Sequence, residues 1–140
     1  MNAAQLSYED IKIGNVYEFE QIITEDDVMK FAELVGDYNP FHVDPEFGKK
    51  SQFGKNVVHG MLAASLFSRL VGMYCPGEKA LYLSQTLNFR RPLFYGEKVT
   101  TCGKVINKND SIQVVTLKTE IFKNDELIID GEAKIKILQS

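Results

Sequence analysis

A carboxylate and an imidazole flank a proline in the segment that runs from Asp37 to His42. The two residues are five positions apart, and Pro40 between them disfavours helical dihedrals at Asn39, which predicts an irregular turn. Such a turn can bring both side chains towards one water molecule, where a carboxylate and an imidazole can accept and return a proton near neutral pH. The alternative is structural, because these residue types also cap turns through local hydrogen bonds.

A glycine lies near the start of the most apolar stretch of the chain, residues 57–73, in the run His59-Gly60-Met61-Leu62. The stretch predicts a helix that is apolar on almost every side and therefore surrounded by protein. Backbone N–H groups in a first helical turn lack intrahelical acceptors, so the Gly60 amide is a candidate for stabilising negative charge. A glycine required only for close packing is the alternative.

Two further polar residues belong to this predicted helix. His59 is expected to cap or hydrogen-bond the preceding turn, which makes a structural role at least as reasonable as a catalytic one. Ser68 follows Gly60 by eight positions, close to two helical turns, and is expected to face the same cavity. A hydrogen bond from Ser68 back to its own helix is the alternative.

Two adjacent arginines, Arg90 and Arg91, end a predicted strand just before Pro92. Guanidinium groups suit phosphate recognition, whereas a solvated strand end is the more ordinary use of paired basic residues. Weaker candidates of the same kind surround the loop before the apolar helix, at Lys49, Lys50 and Lys55.

The elements that must position these residues are helical first and extended later. Residues 16–23 predict a strand, after which Thr24 and Asp27 form a capping-box variant that starts a helix, and Gly36 ends it. Alternation of apolar and polar residues predicts four more strands, at residues 81–89, 99–106, 112–122 and 127–138.

This order predicts an α+β fold, with an antiparallel sheet wrapped around one long buried helix in a single domain over residues 1–140. Such a sheet leaves exposed edges, and a small domain commonly hides one by pairing with a second copy.

The motifs resemble those of the MaoC-like, (R)-specific enoyl-CoA hydratases, which carry a G-D-x-N-P-x-H turn followed by an H-G-M helix start. Here the two motifs span residues 36–42 and 59–61, and a later L-x-F-R-R-P run spans residues 87–92. The resemblance implies a hot-dog fold and a homodimer or dimer of dimers. It also implies reversible, cofactor-free addition of water to a trans-2-enoyl-CoA, an acyl-CoA thioester, to give the (R)-3-hydroxyacyl product.

The resemblance further implies a role for each matching residue. Asp37 and His42 would hold and activate the water and return its proton to C2, with the formal base left open between them. The Gly60 N–H would bind the thioester carbonyl, and Ser68 would hydrogen-bond the catalytic pair or the water. The expected substrate-binding residues are Asn39, Phe41, Met61, Leu62, Arg90 and Arg91. Phe41 and Val35 differ from the residues usual at their positions, which leaves the shape of the acyl pocket and the chain length open.

Composition limits which partners, metal or redox sites and cellular locations are expected. Sixteen basic and nineteen acidic residues give a net charge of -3, which argues against nucleic acid or an anionic membrane as a partner. Cys75 and Cys102 lack ligand-spaced neighbours, so neither a metal site nor a redox motif is expected, and both are expected to be reduced. The N-terminal residues resemble no targeting segment, and the apolar stretch contains Arg69, so a cytoplasmic location and no membrane span are expected.

Three alternatives use the same fold. A 3-hydroxyacyl-[acyl-carrier-protein] dehydratase would share the site and differ in the group that carries the acyl chain. A thioesterase would generally place a carboxylate on the long helix, but residues 57–73 contain no Asp or Glu. A non-catalytic acyl-CoA-binding module is the third.

Overall fold

One six-stranded antiparallel sheet forms the framework of the protein, which the computed structural model describes over residues 1–139. The strands follow the order β1-β4-β5-β6-β2, and the short β3 also pairs with β6. The strands are β1 (Val16–Ile22), β2 (Ala80–Gln85), β3 (Asn88–Phe89), β4 (Lys98–Asn109), β5 (Val114–Lys123) and β6 (Glu126–Ile137).

The first helix, α1 (Glu25–Val35), begins and ends where its capping residues predict. The Thr24 hydroxyl accepts a hydrogen bond from the Asp27 amide, and the Asp27 carboxylate accepts one from the Thr24 amide. Gly36 adopts a left-handed conformation with φ of 81°, which a residue with a side chain rarely takes. Two short helices follow, α2 (Pro40–Val43) and α3 (Pro45–Lys50).

The long apolar helix is present but interrupted. It begins at Gly60 and consists of α4 (Gly60–Ala64), α5 (Leu66–Arg69) and a π-helical turn (Leu70–Tyr74). At Ser65 the amide N–H points to the carbonyls of both Met61 and Leu62, which marks a local change in helical winding. The expectation of burial on almost every side is wrong for this chain, because Met61 is 59% exposed and Ser65 and Ser68 are also exposed.

Two hydrophobic clusters lie between this helical segment and the sheet. The first contains Phe67 and Leu70 with Ile128 and Ile129, and the second contains Val71 and Cys75 with the strand residues Leu117 and Ile135 among others. The sheet approaches the helix closely at Gly103, where an added Cβ would lie 2.8 Å from Leu70 Cδ2. The predicted arrangement of a sheet around a helix is therefore confirmed.

The strands differ from prediction mainly at one edge of the sheet. Alternation along β6 is confirmed, since Ala133, Ile135 and Ile137 are buried while Lys134 is exposed. Residues 81–89, predicted as one strand, form the two strands β2 and β3, and both Leu81 and Leu83 are exposed. Within residues 1–139, no helix has the length and apolar character needed to cross a membrane.

Candidate active site

The turn after α1 is ordered by side chains that cap their own backbone. Asp37 Oδ1 accepts a hydrogen bond of 3.2 Å from the Asn39 amide, and Asn39 Oδ1 accepts one of 3.0 Å from the Phe41 amide. Asn39 is the N-cap of α2 and Pro40 its first residue, so His42 lies on a single helical turn. The prediction of an irregular turn is confirmed for residues 37–39 but wrong for residues 40–42, because Asn followed by Pro is also a helix-starting combination.

The Asn56 side chain holds this turn in place through hydrogen bonds to its backbone carbonyls. Its Nδ2 donates to the carbonyls of Phe41 at 3.0 Å and Asp44 at 2.9 Å, and it also lies 3.3 Å from the Pro40 carbonyl. The side chain is buried, so these acceptors replace water. Sequence reasoning missed Asn56, and the only signal was a polar residue directly before a buried apolar run.

Tyr95 supplies a second support. Its hydroxyl donates to the His42 carbonyl. Burial raises the pKa of Tyr95, with a smaller contribution from Glu25, so the hydroxyl keeps the proton it donates. The backbone of His42 is therefore held from a separate part of the chain.

Three potentially reactive side chains meet beside this turn: Asp37, His42 and His59. One side-chain oxygen or nitrogen from each lies within 4.8 Å of the others. His42 Nδ1 is 2.7 Å from the Val57 carbonyl oxygen, which can only accept, so Nδ1 carries the proton and Nε2 has a free lone pair. The structure thus brings together the Asp37 and His42 side chains that the sequence predicts as a pair.

The two members of the pair differ in exposure. His42 is partly buried, but Asp37 is exposed, and the neighbouring Leu34 is 82% exposed in this chain. Apolar neighbours therefore do not bury Asp37 as they partly bury His42.

A cavity of about 340 Å³ lies against His42 and Gly60. Its walls are mainly apolar and come from the α2 turn, the start of the long helix, the segment after β3 and the strand β6. Besides His42 and Gly60, it is lined by Phe41, Val57, Val58, Ala63, Phe89, Arg90, Arg91, Pro92, Leu93, Ile128 and Ile129. Phe41, Arg90 and Arg91 thus lie where substrate-binding residues are expected.

Phe89 covers Gly60 from the side of the sheet. A Cβ added to Gly60 would lie 2.9 Å from Phe89 Cε1, closer than real contacts allow. Gly60 is the first residue of α4, where its amide has no acceptor one turn earlier in the helix. Both interpretations of Gly60, an anion-stabilising amide and a packing requirement, therefore fit the geometry.

The remaining predicted site residues are not in the cavity lining, and Asp37, although it lies close to His42, is one of them. Leu62 lines a different cavity between α1 and the long helix, Met61 is exposed, and Asn39 is occupied with capping α2. Ser68 is exposed and is not in the lining of this cavity, and its amide donates to the Ser65 carbonyl. Contact of Ser68 with a substrate stays a prediction.

The two arginines have different surroundings. Arg90 donates from Nε and Nη2 to the Asp130 carboxylate, at distances of 3.2 to 3.3 Å. Arg91 is exposed and forms no salt bridge within residues 1–139. Arg91 is therefore the guanidinium more available to an anionic group at the cavity.

The same three side chains could also hold a metal, because two imidazoles and a carboxylate are a donor set that transition metals accept. Each imidazole, however, already has one ring nitrogen at a backbone carbonyl, and His59 Nδ1 is buried. A metal would have to use the remaining nitrogens. The cluster also suits acid–base chemistry by the residues themselves.

Comparison with known families supplies the decisive observation. Residues 10–124 match the family described as MaoC like domain. The chain belongs to this family. The cavity beside Asp37 and His42 is therefore the candidate active site of a MaoC-like protein.

Similarity to known MaoC-like proteins extends over most of the chain. An (R)-specific enoyl-CoA hydratase of Aeromonas caviae is 37% identical over 94% of this chain and 99% of its own length. A mitochondrial 3-hydroxyacyl-[acyl-carrier-protein] dehydratase of Arabidopsis thaliana is 35% identical over 88% of this chain and 75% of its own. An R-hydratase of Pseudomonas aeruginosa, solved without ligand, superposes with a TM-score of 0.93 at 31% identity, covering 99% of this chain and 89% of that one. The predicted hot-dog fold is thereby confirmed.

Proposed function

We propose that this MaoC-like protein is an (R)-specific enoyl-CoA hydratase that adds water reversibly to trans-2-enoyl-CoA without a cofactor. The observation that carries the proposal is an apolar cavity lined by His42 and Gly60, with the Asp37 carboxylate close to the His42 ring. The similarity of most of the chain to proteins named (R)-specific enoyl-CoA hydratase and (R)-hydratase supports the same substrate class.

The hydrogen bonds of the pair suggest how the proton moves. Because His42 Nδ1 donates to the Val57 carbonyl, Nε2 is the nitrogen that takes a proton from water. Asp37 uses Oδ1 on the Asn39 amide, so its second oxygen is available to orient the same water. The water oxygen bonds to C3 of the enoyl group, and the electron pair of the double bond passes towards the thioester oxygen. Return of the proton from His42 to C2 completes the addition.

The developing negative charge needs a donor at the thioester oxygen. We assign this role to the amide of Gly60, which opens the helical segment and lines the cavity next to His42. Glycine allows the thioester to approach this amide closely, since no side chain stands in the way. Phe89 and Ala63 would then flank the acyl chain.

The acyl chain and its carrier are proposed to occupy opposite parts of the cavity. The apolar residues Val58, Leu93 and Ile128 suit the hydrocarbon chain, whereas Arg91 suits a phosphate of coenzyme A. Ligand cavities usually measure roughly 300 to 1,000 Å³, and a cavity at the lower end favours short acyl groups. A four-carbon substrate, crotonyl-CoA, is therefore the first one to test.

The test is loss of the conjugated enoyl absorbance when the protein is mixed with crotonyl-CoA, followed by chiral analysis of the 3-hydroxybutyryl product. Asp37→Asn and His42→Gln should each lower kcat/KM by about 10² to 10⁴ if they transfer or orient the proton. Asp125→Asn, in the exposed turn between β5 and β6, is the matched control and should keep full activity. Full activity in both site variants would refute the assignment.

Acyl carrier protein is the competing carrier, as in the Arabidopsis relative. Steady-state rates with crotonyl-CoA and with crotonyl carrier protein separate the two. A preference of about 100-fold for the carrier protein, equivalent to about 2.7 kcal/mol, would reassign the chain as a dehydratase of fatty-acid synthesis. Binding of both thioesters without turnover would instead support a non-catalytic module.

We further propose that the enzyme is a homodimer. Strand β2 lies at an edge of the sheet, and its sequence ALYLSQ carries no charged residue or proline that would discourage pairing. Leu81 and Leu83 are about half exposed on this edge, at 48% and 53%. A second copy of β2 would cover these side chains and satisfy the unpaired backbone groups.

A cytoplasmic location is part of the same proposal. Cys75 and Cys102 are both free thiols, which is the usual state in a reducing compartment. Fractionation of the host cell with antibody detection would test this placement.

A further inference from the structure

His59 is the buried polar residue at the site to which the proposed mechanism gives no role. It is the residue immediately before Gly60 and the N-cap of α4, yet its side chain does not cap that helix. Only 2% of it is exposed. A buried imidazole that does not cap its helix must use its hydrogen-bonding capacity elsewhere or go unsatisfied.

The side chain points instead towards the turn that carries Asp37. His59 Nε2 is 3.0 Å from the Asp37 carbonyl oxygen, which can only accept, so Nε2 carries the proton. His59 Nδ1 is buried and has no hydrogen-bond partner within the described residues. The contact with the Asp37 carbonyl is therefore the hydrogen bond that fixes the orientation of the ring.

The same ring also supports His42. The two imidazoles are stacked, with centroids 4.0 Å apart and planes inclined by 29°. Phe31 of α1 also contacts His59 in an edge-to-face arrangement, with ring centroids 5.0 Å apart. His59 is thus packed between Phe31 of α1 and the His42 ring.

These contacts join two halves of the site that are otherwise separate in the chain. Asp37 and His42 belong to the turn after α1, whereas Gly60 belongs to the long helix. His59 is covalently next to Gly60, hydrogen-bonded to Asp37 and stacked on His42. A single side chain therefore relates the position of the acid–base pair to that of the backbone amide.

We infer that His59 is a positioning residue that holds the acid–base pair in register with the Gly60 amide. This inference rests on the proposed hydratase activity. Addition of water requires the proton donor and the oxyanion donor to act on one substrate at once, and a misplacement of about 1 Å can cost roughly 100-fold in rate. His59 does not touch the reacting atoms, so its effect should fall on kcat more than on KM.

A matched pair of amide variants tests the role. In His59→Gln, the side-chain NH₂ can reach the position of Nε2 and keep the bond to the Asp37 carbonyl. In His59→Asn, the NH₂ reaches only the position of Nδ1, and that bond is lost. Both variants replace the ring by a neutral amide, so they lose the stacking contact alike.

With crotonyl-CoA as the substrate, His59→Gln should keep kcat within about fivefold of the unmodified protein, because the hydrogen bond survives. His59→Asn should lose about 30- to 100-fold in kcat with little change in KM. Ile11→Val, a buried change in the second hydrophobic cluster, serves as a control for a general loss of stability. It should lower the melting temperature without altering kcat.

Three outcomes would overturn the inference: equal kcat in the Gln and Asn variants, a loss confined to KM, or a fall in kcat that follows melting temperature across all variants. If His59→Asn fails to fold, the Gln variant decides, since a loss of more than about 30-fold there would contradict a role that the hydrogen bond alone can restore. Absence of activity in the unmodified protein would refute the proposed function instead, so the two failures are distinguishable.

Discussion

At the scale of single residues, neighbouring side chains of one type take on different tasks according to their partners. Arg90 is neutralised by Asp130, whereas Arg91 faces solvent beside the cavity. His42 and His59 are likewise two imidazoles, but only His42 lines the cavity. The sequence identifies both arginines and both histidines as candidate site residues. It does not predict their separate roles, because each role depends on which strand or turn packs against the side chain.

The difference between the arginines gives the first prediction. Arg91→Ala should raise KM for crotonyl-CoA about 10- to 100-fold, since a charge-assisted contact to a phosphate is worth roughly 1.5 to 3 kcal/mol. Arg90→Ala should change KM by less than about threefold, because the partly exposed pair with Asp130 contributes little. Steady-state kinetics at fixed ionic strength measure both. A larger effect from Arg90 would reverse the assignment.

The second prediction separates the two interpretations of Gly60. Gly60→Ala should lower kcat/KM at least about tenfold, because the new methyl group obstructs the thioester as well as the Phe89 ring. Phe89→Ala removes both close ring atoms, Cε1 and Cδ1. If the double variant regains the activity of Phe89→Ala, Gly60 is required only for packing; if it stays inactive, the glycine serves the substrate.

At the scale of elements, sequence motifs that act over a few residues predicted helix ends, whereas features set by packing between distant segments were not predicted. The capping box at Thr24 and the left-handed Gly36 fix α1 through contacts a few residues apart, so the sequence predicts them directly. The interruption at Ser65 and the division of residues 81–89 depend on the fit between helix and sheet. No periodicity within either segment could have shown them.

The third prediction concerns Asn56, whose side chain holds the α2 turn through hydrogen bonds. Asn56→Asp replaces an NH₂ group that faces two close backbone carbonyls with a carboxylate that cannot donate. The free energy of unfolding should fall by about 3 kcal/mol, and kcat should fall as well because His42 is displaced. Urea titration followed by circular dichroism measures the first effect. Asn107→Asp, at an exposed position of β4, is the control and should change stability little.

At the scale of the whole molecule, the site is assembled from segments that are distant in the chain. Its walls include Val57, Phe89 and Ile129, which belong to three separate elements. Sequence motifs predicted the acid–base pair because its members are five residues apart. They could not predict the apolar walls, because any buried strand has the same composition.

The fourth prediction concerns the exposed edge of the sheet. Leu83→Lys places a charge on β2, where pairing with a second copy would bury it, and should convert a dimer into a monomer. Light scattering coupled to size-exclusion chromatography measures the mass. Ile106→Lys, the same kind of apolar-to-lysine change at an exposed position of β4, is the control and should leave the mass unchanged. A monomeric unmodified protein would contradict the proposed dimer.

The fifth prediction follows from the buried thiol of Cys75. Burial raises its pKa from 9.0 to about 11. Between these values the unfolded chain ionises while the folded chain does not, so stability that is intact below pH 9 should be lost as the pH rises towards 11. Melting temperatures across this range measure the loss, which should be shallower in Cys75→Ala. An equal slope in both proteins would assign the alkaline loss to other groups.

The long helix packs into both hydrophobic clusters, and its interruption at Ser65 lies within the part that packs into the first. Ala63 lines the cavity and belongs to the first cluster, whereas Val71 belongs to the second. Changes in side-chain volume at Ala63 should therefore act on the cavity and the first cluster, and their effects on stability should add to those of changes at Val71. Substitutions at Ala63, at the cavity end of the helix, could therefore change which acyl chain lengths the enzyme accepts, by engineering or by evolution.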